Sequence, residues 1–229
     1  MEVTKKLLLL DNTLELHNES EYSNSSFGFR AFNNAGVECE VGELLYSLVR
    51  ILKPENVLET GTHEGIGSSY MALALKENYN ENIGHTIEQK KPQLDTVEFI
   101  EQHYQTSKAR FARMGLSDYI NQYLIDAKLF NTQKQYKLIL LDTEPQTRFA
   151  EMIKFYDNLE MGGFLFIHDL HRHMGQVDNA EHGFGYPFGE LPYFIKSKVK
   201  HGVLRPIHFP TPRGLAGFYK THENDFDWR

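Results

Sequence analysis

The chain has 229 residues, 41% hydrophobic and 13% aromatic, which is enough for one α/β domain with a substantial core. Its formal net charge of −7 argues against broad binding to a nucleic-acid backbone, which rests on clustered Lys and Arg, but leaves room for a small ligand held by backbone amides. Cys39 is the single cysteine, so an intrachain disulfide is excluded, as suits a reducing cytoplasm.

The first apolar run, residues 7–10, stops at Asp11. A secretory core needs roughly 7–15 apolar residues and a membrane span about 20. A soluble cytoplasmic protein with no membrane partner is therefore expected. Residues 11–35 are polar, rich in Asn and Ser, and hold no period. They predict an irregular lead-in or lid (1–35) ahead of a single domain at 36–229. Leu44, Leu45, Leu48, Val49 and Leu52 share one helical face, and Lys53-Pro54 closes that helix.

Alternating units follow. Strands are predicted at 56–60, 83–88, 120–125, 136–142 and 164–168, and near 203–209 and 215–219. Helices are predicted at 68–76, over most of 92–114, at 145–159, and around 191–199. Pro145 stands at a helix start, where its missing N–H costs nothing. Residues 160–163, EMGG, predict a turn. Alternating β and α with short apolar strands predicts an α/β fold, a mostly parallel sheet with helices on both faces.

The stretch VLETGTHEGIGSSY, residues 57–70, runs from a strand through glycines into a helix. A phosphate-cradling G-x-x-x-x-G-K-[ST] loop fails, because no Lys follows any glycine. A dinucleotide G-x-G-x-x-G fails at His63 and Ile66. An E-x-G-x-G-x-G loop for S-adenosylmethionine fits at Glu59, Gly61 and Gly65, with His63 in place of the middle glycine. An acid at the strand tip suits the cofactor's amino end, and glycines let a ligand lie against backbone. His is among the residues enriched at positive φ, so His63 is tolerable there. Glu88, 21 residues after Gly67, closes the predicted second strand, where an acid accepts hydrogen bonds from ribose hydroxyls. Asp126-Ala127 ends the next strand, where a side chain meets an adenine amino group.

The segments VLETGTHEGIGSSYMALAL, TIE, ARMGLSDYINQYLIDAKLF, YKLILLDTEP and LEMGGFLFIHD lie in order over roughly residues 36–170. Together they resemble class I S-adenosylmethionine-dependent methyltransferases, above all the small-molecule O-methyltransferases. The resemblance implies a Rossmann-like fold with a seven-stranded sheet. It also implies S-adenosylmethionine as cofactor and a hydroxyl of a small molecule as methyl acceptor, with no nucleic-acid partner. The fold often pairs, which makes a homodimer the expected assembly. By this likeness Glu59, Gly61, Thr62, His63, Gly65, Gly67, Ser68, Glu88, Asp126 and Ala127 bind the cofactor. The span from Glu88 to Gly115 is longer than the family's usual one.

Three features are similar to the branch of cephalosporin hydroxylases and rhamnosyl O-methyltransferases. They are the missing middle glycine with Gly65 and Gly67-Ser68 downstream, the strand end His168-Asp169, and HGFGYPFGELPYFI. The metal-dependent O-methyltransferases hold Asp, then Asp-Asn, around Mg²⁺ at positions that match Asp142, His168 and Asp169. The likeness thus implies a divalent metal on these three. His168 would favour Mn, Fe or Zn over Mg. That family's Lys, three residues after the first Asp, is Pro145 here. Asp142, His168 and His171, within or near HDLHRH, are the catalytic candidates, with His173 beside them. Asp142 and Asp169 equally suit helix capping. Two rival readings stand: hydroxylase-like chemistry on the same fold, and a non-catalytic nucleoside-binding subunit.

Overall fold

The computed structural model describes residues 2–19, 29–33, 36–81, 90–169, 192–209, 211 and 213–222. Helix α1 (Val3–Leu10) and strands β1 (His17–Glu19) and β2 (Phe29–Ala31) open the chain. Then come α2 (Cys39–Leu52), β3 (Asn56–Thr60), α3 (Ile66–Glu81), β4 (Gln93–Glu98), α4 (Glu101–Arg113) and β5 (Ile120–Leu124). The chain continues with β6 (Tyr136–Leu141), α5 (Pro145–Lys154), β7 (Leu159–His168), α6 (Tyr193–Lys200), β8 (Leu204–Phe209) and β9 (Leu215–Lys220).

The main sheet has seven strands in the order β5-β4-β3-β6-β7-β9-β8. The strands β3 to β7 run parallel, β9 is antiparallel to β7, and the edge strand β8 is antiparallel to β9. Side chains alternate across each strand. Val57, Leu94, Leu138 and Leu140 therefore pack on one face with α2 and α3, while Leu58, Val97, Ile139 and Leu141 pack on the other with α5 and α6. Burial on both faces is what makes LILL, residues 138–141 of β6, a continuous apolar run.

The predicted α/β sheet and most elements are present, with three differences. The first concerns residues 92–114, which are not mostly helical: Gln93–Glu98 is the second parallel strand, and only then does α4 begin. Its polar sequence QLDTVE hid it. Asp95 is fully buried, yet it receives Lys134 Nζ at 2.8 and 2.9 Å, Tyr136 Oη at 2.7 Å and Asn121 Nδ2 at 2.8 Å. A buried carboxylate with that many donors is satisfied, so a strand interior accepts it. The strand predicted at 83–88 lies outside the described residues.

Secondly, the turn predicted at 160–163 is absorbed into the ten-residue β7, where the pairing with β6 slips between Tyr136 and Leu138 and Gly162 takes φ +70°. Thirdly, the lead-in is not wholly irregular. The strands β1 and β2 pair antiparallel, and α1 docks on α2 and α3. Thr4 Oγ1 lies 2.9 Å from Tyr70 Oη, and Lys6 Nζ 2.8 Å from Glu77. Asp11 after α1 takes Arg113 Nε at 3.0 Å and Nη2 at 2.9 Å. Burial works against its charge, but the hydrogen bonds from Arg113 and Thr13 prevail and hold the carboxyl well below its usual range.

Candidate active site

Strand order reverses between β3 and β6, and in open α/β sheets ligands bind at the carboxyl ends of the strands beside such a reversal. A cleft of about 340 Å³ opens there, lined from the tips of β3, β4, β6 and β7 and the stretch after β5.

The β3–α3 loop forms its floor. Gly61 has φ +84°, and a Cβ on it would sit 2.3 Å from the Asp142 carbonyl oxygen, so the β3 and β6 tips touch backbone to backbone. His63 holds φ +47°, the conformation its place in the loop suggested. Its N–H donates to Glu98 Oε2 at 2.7 Å. The His63 ring meets His103 edge-on at 4.2 Å, and its Nδ1 is buried without a hydrogen-bond partner among the described residues. Burial and then the neighbouring His103 hold its pKa below the ordinary imidazole value.

Glu59 is buried beneath the loop. Thr96 Oγ1 donates to its Oε2 at 2.6 Å, and Ser68 Oγ donates to the same oxygen. A Cβ at Gly67 would stand 2.6 Å from Oε1. Burial pushes the Glu59 carboxyl up to about 8 against those donors, with Asp142 and Glu98 adding repulsion. Glu98 ends β4. Its Oε1 accepts the N–H groups of Phe99 at 2.9 Å and Ile100 at 2.8 Å.

At the other side of the cleft lies a dense charge cluster. His168, fully buried, sits with Nδ1 3.0 Å from Asp142 Oδ1 and Nε2 2.5 Å from Glu38 Oε2. Burial would lower its pKa, but Asp142, Glu38 and Asp169 outweigh it and raise the imidazole to about 10. Arg148 Nε donates to the Thr143 carbonyl at 2.7 Å, and its Nη1 donates to the His168 carbonyl. Arg148 Nη2 lies 3.4 Å from Asp142 Oδ1 and 3.9 Å from Asp169 Oδ2. Arg213 Nη2 reaches the same Asp169 oxygen at 2.5 Å, and its backbone N–H donates to Glu38 at 3.1 Å.

Of the residues expected to hold cofactor, Glu59, Gly61, Thr62, His63, Gly67 and Ala127 line the cleft. Gly65 and Ser68 stand behind the loop, Ser68 serving Glu59. Asp126 is not a lining residue: it is exposed, and its Oδ1 accepts the Lys128 N–H at 2.8 Å, while Ile125 and Ala127 form that wall. Glu88, His171 and His173 lie outside the described residues. Asp142, His168 and Asp169 do come together, with one ligand atom of each within 4.8 Å of the others. As a metal set they fit poorly. Both His168 nitrogens face carboxylates, and Arg148 reaches both aspartates. The same contacts leave His168 no free nitrogen to act as a base.

Sequence reasoning missed Glu98, His103, Arg148, Glu38 and Arg213. Only Glu98 carried a signal, the apolar Val97 and Phe99 flanking an acid in TVEF.

The fold is similar to that of solved structures. The O-methyltransferase TomG from Streptomyces achromogenes, in complex with SAM, is 16% identical over 82% of this chain and 83% of that one, at a TM-score of 0.62. The chain has the class I methyltransferase fold. SAH-bound PaMTH1, a methyltransferase of Podospora anserina, is 15% identical over 82% of this chain and 80% of that one, at 0.62. An O-methyltransferase from Bacillus cereus in complex with SAH is 16% identical over 82% and 84%, also at 0.62. No family model and no curated protein matches the sequence.

Proposed function

We propose that the protein is an S-adenosylmethionine-dependent methyltransferase acting on a hydroxyl of a small molecule. The observation that carries this reading is Glu98 at the tip of the strand next to the glycine loop, lining a cleft at the point of strand reversal. The neighbours crystallised with SAM or SAH support it.

The residues fit that cofactor. Glu98 Oε2 accepts the His63 N–H and keeps one lone pair, while Oε1 is taken by Phe99 and Ile100, so a carboxylate at this place suits a ribose hydroxyl. Phe99, Ile100, Ile125 and Ala127 supply apolar wall for a purine, and Gly61 and His63 line the cleft beside it. Glu59 serves the amino-acid end. When bound, the cofactor supplies a methyl group on a good leaving group, so the protein's work is mainly orientation and exclusion of water. A small acceptor fits a cleft of about 340 Å³, and the net charge of −7 disfavours nucleic acid. No helix among the described residues is long and apolar enough to cross a membrane. We read the protein as cytoplasmic and, by likeness to its fold, as a homodimer.

Calorimetry with S-adenosylmethionine tests the reading. Binding in the micromolar range is expected, weakened by about 10- to 100-fold in Glu98→Ala, the worth of roughly one charge-assisted hydrogen bond. Absence of binding at millimolar cofactor would reject it.

A further inference from the structure

The strand-tip aspartates of this fold invite a divalent metal, yet Asp142 and Asp169 here are already met by cations of the chain itself. Arg148 reaches both carboxylates, at 3.4 Å and 3.9 Å. It is not free to swing aside, because its Nε and Nη1 are spent on the carbonyls of Thr143 and His168. Arg213 adds a second guanidinium on Asp169 Oδ2 at 2.5 Å. His168 is clasped between Asp142 and Glu38 through both ring nitrogens. A cation bound at the usual 2.0–2.6 Å or so from carboxylate oxygen would stand beside two guanidinium groups with only part of a ligand set.

One atom is left over. Asp169 Oδ1 is buried, its side chain only 8% exposed, and has no hydrogen-bond partner among the described residues. The nearest His168 nitrogen is 3.9 Å away, beyond hydrogen-bond reach. Asp169 also holds φ +59°, a left-handed backbone, and lines the cleft beside Asp142 and Arg148. An orphaned carboxylate oxygen in a cleft calls for a donor from a ligand.

We propose that this pole of the cleft is a metal-free acceptor site, in which Arg148 takes the place of a divalent cation between two strand-tip carboxylates and Asp169 Oδ1 accepts a hydrogen bond from an acceptor hydroxyl. The hydroxyl half rests on the methyl-transfer reading; the cation half does not. Asp169 touches the acceptor, whereas Arg148, Arg213 and His168 hold the two aspartates in place. The ligand class at Asp169 is a neutral hydroxyl, since an anion would meet its bare oxygen.

The test uses the full chain and Mn²⁺ alone, followed by calorimetry and by the electron-spin resonance of free Mn²⁺. The wild type is expected to retain no Mn²⁺ after desalting. Arg148→Gln, checked for folding by circular dichroism, is expected to gain about one equivalent, because the one guanidinium that reaches both carboxylates is gone, while Arg213 and His168 each hold only one of them. Methyl transfer by the wild type is expected to be unchanged by EDTA. Asp169→Asn is expected to leave S-adenosylmethionine affinity unchanged while raising KM for the acceptor about 10-fold or more. A wild type that binds Mn²⁺ stoichiometrically, and loses it in Asp142→Asn, overturns the proposal. So does a folded Arg148→Gln that binds none, or an Asp169→Asn with normal KM. Failure of S-adenosylmethionine to bind would strike the methyl-transfer reading and leave the Mn²⁺ result standing.

Discussion

Glu59 shows how a single residue links the glycine loop to pH. Its carboxyl lies under the cleft floor with Thr96 and Ser68 as donors, and burial still lifts its pKa to about 8 from 4.5. A folded pKa above the unfolded one means that the folded state binds the proton more tightly. The associated stability is fully present below about pH 4.5 and is lost as pH rises through about 8. Urea unfolding of the wild type from pH 5 to 9 should therefore show a decline that Glu59→Gln, which keeps the shape without the titration, flattens. Parallel curves for the two proteins would contradict that assignment. His63 is the other informative residue. At φ +47° it takes a conformation usually left to glycine, and the hydrogen bond from its N–H to Glu98 ties the loop to the next strand. The loop was legible because glycine spacing reports backbone shape directly. Glu98 was not, because an acid at a strand tip is visible only once the strand itself is recognised.

At the scale of elements, β4 is the instructive case. Its six residues include a buried Asp and a buried Thr, so it lacks the apolar run that betrays β3 and β6. What qualifies it as a strand is pairing on both sides, to β3 and to β5, and donors for Asp95 from β5, from β6 and from Lys134 before β6. Asp95→Ala should cost about 1–3 kcal/mol in chemical denaturation, chiefly through the buried polar partners it leaves behind. Lys134 is 39% exposed and can turn to water, which keeps the cost from reaching that of a stranded buried charge. No change in stability would mean that the carboxylate is a bystander. The helices were easier to read. The apolar face of α2 repeats at helical spacing, and α3 starts where the glycine loop ends, both consequences of local sequence.

The whole molecule places a crevice over the carboxyl rim of the parallel strands, bounded by a glycine-lined side and a charge-paired side. The paired side gathers His168, Glu38, Asp142, Asp169, Arg148 and Arg213 from α5, the tips of β6 and β7, the start of β9 and the residue before α2. Those contacts tie the edge of the sheet to its centre. A ligand that binds only the folded state stabilises it by mass action. S-adenosylmethionine at about 100 times its dissociation constant should thus add roughly 2.7 kcal/mol to the unfolding free energy, seen as a raised Tm. An unmoved Tm at millimolar cofactor would speak against the proposed site.

By itself the sequence determined the alternation of strands and helices, the glycine turn after β3 and the acid at the end of β6, because hydrophobic period and turn chemistry act over a few neighbouring residues. Tertiary structure alone decided that Glu98 rather than Glu88 ends the strand beside that turn, and that His168 is enclosed by Glu38 and Asp142. Those choices depend on partners as far apart as 130 positions, and no local pattern records which buried charges the fold will bring face to face.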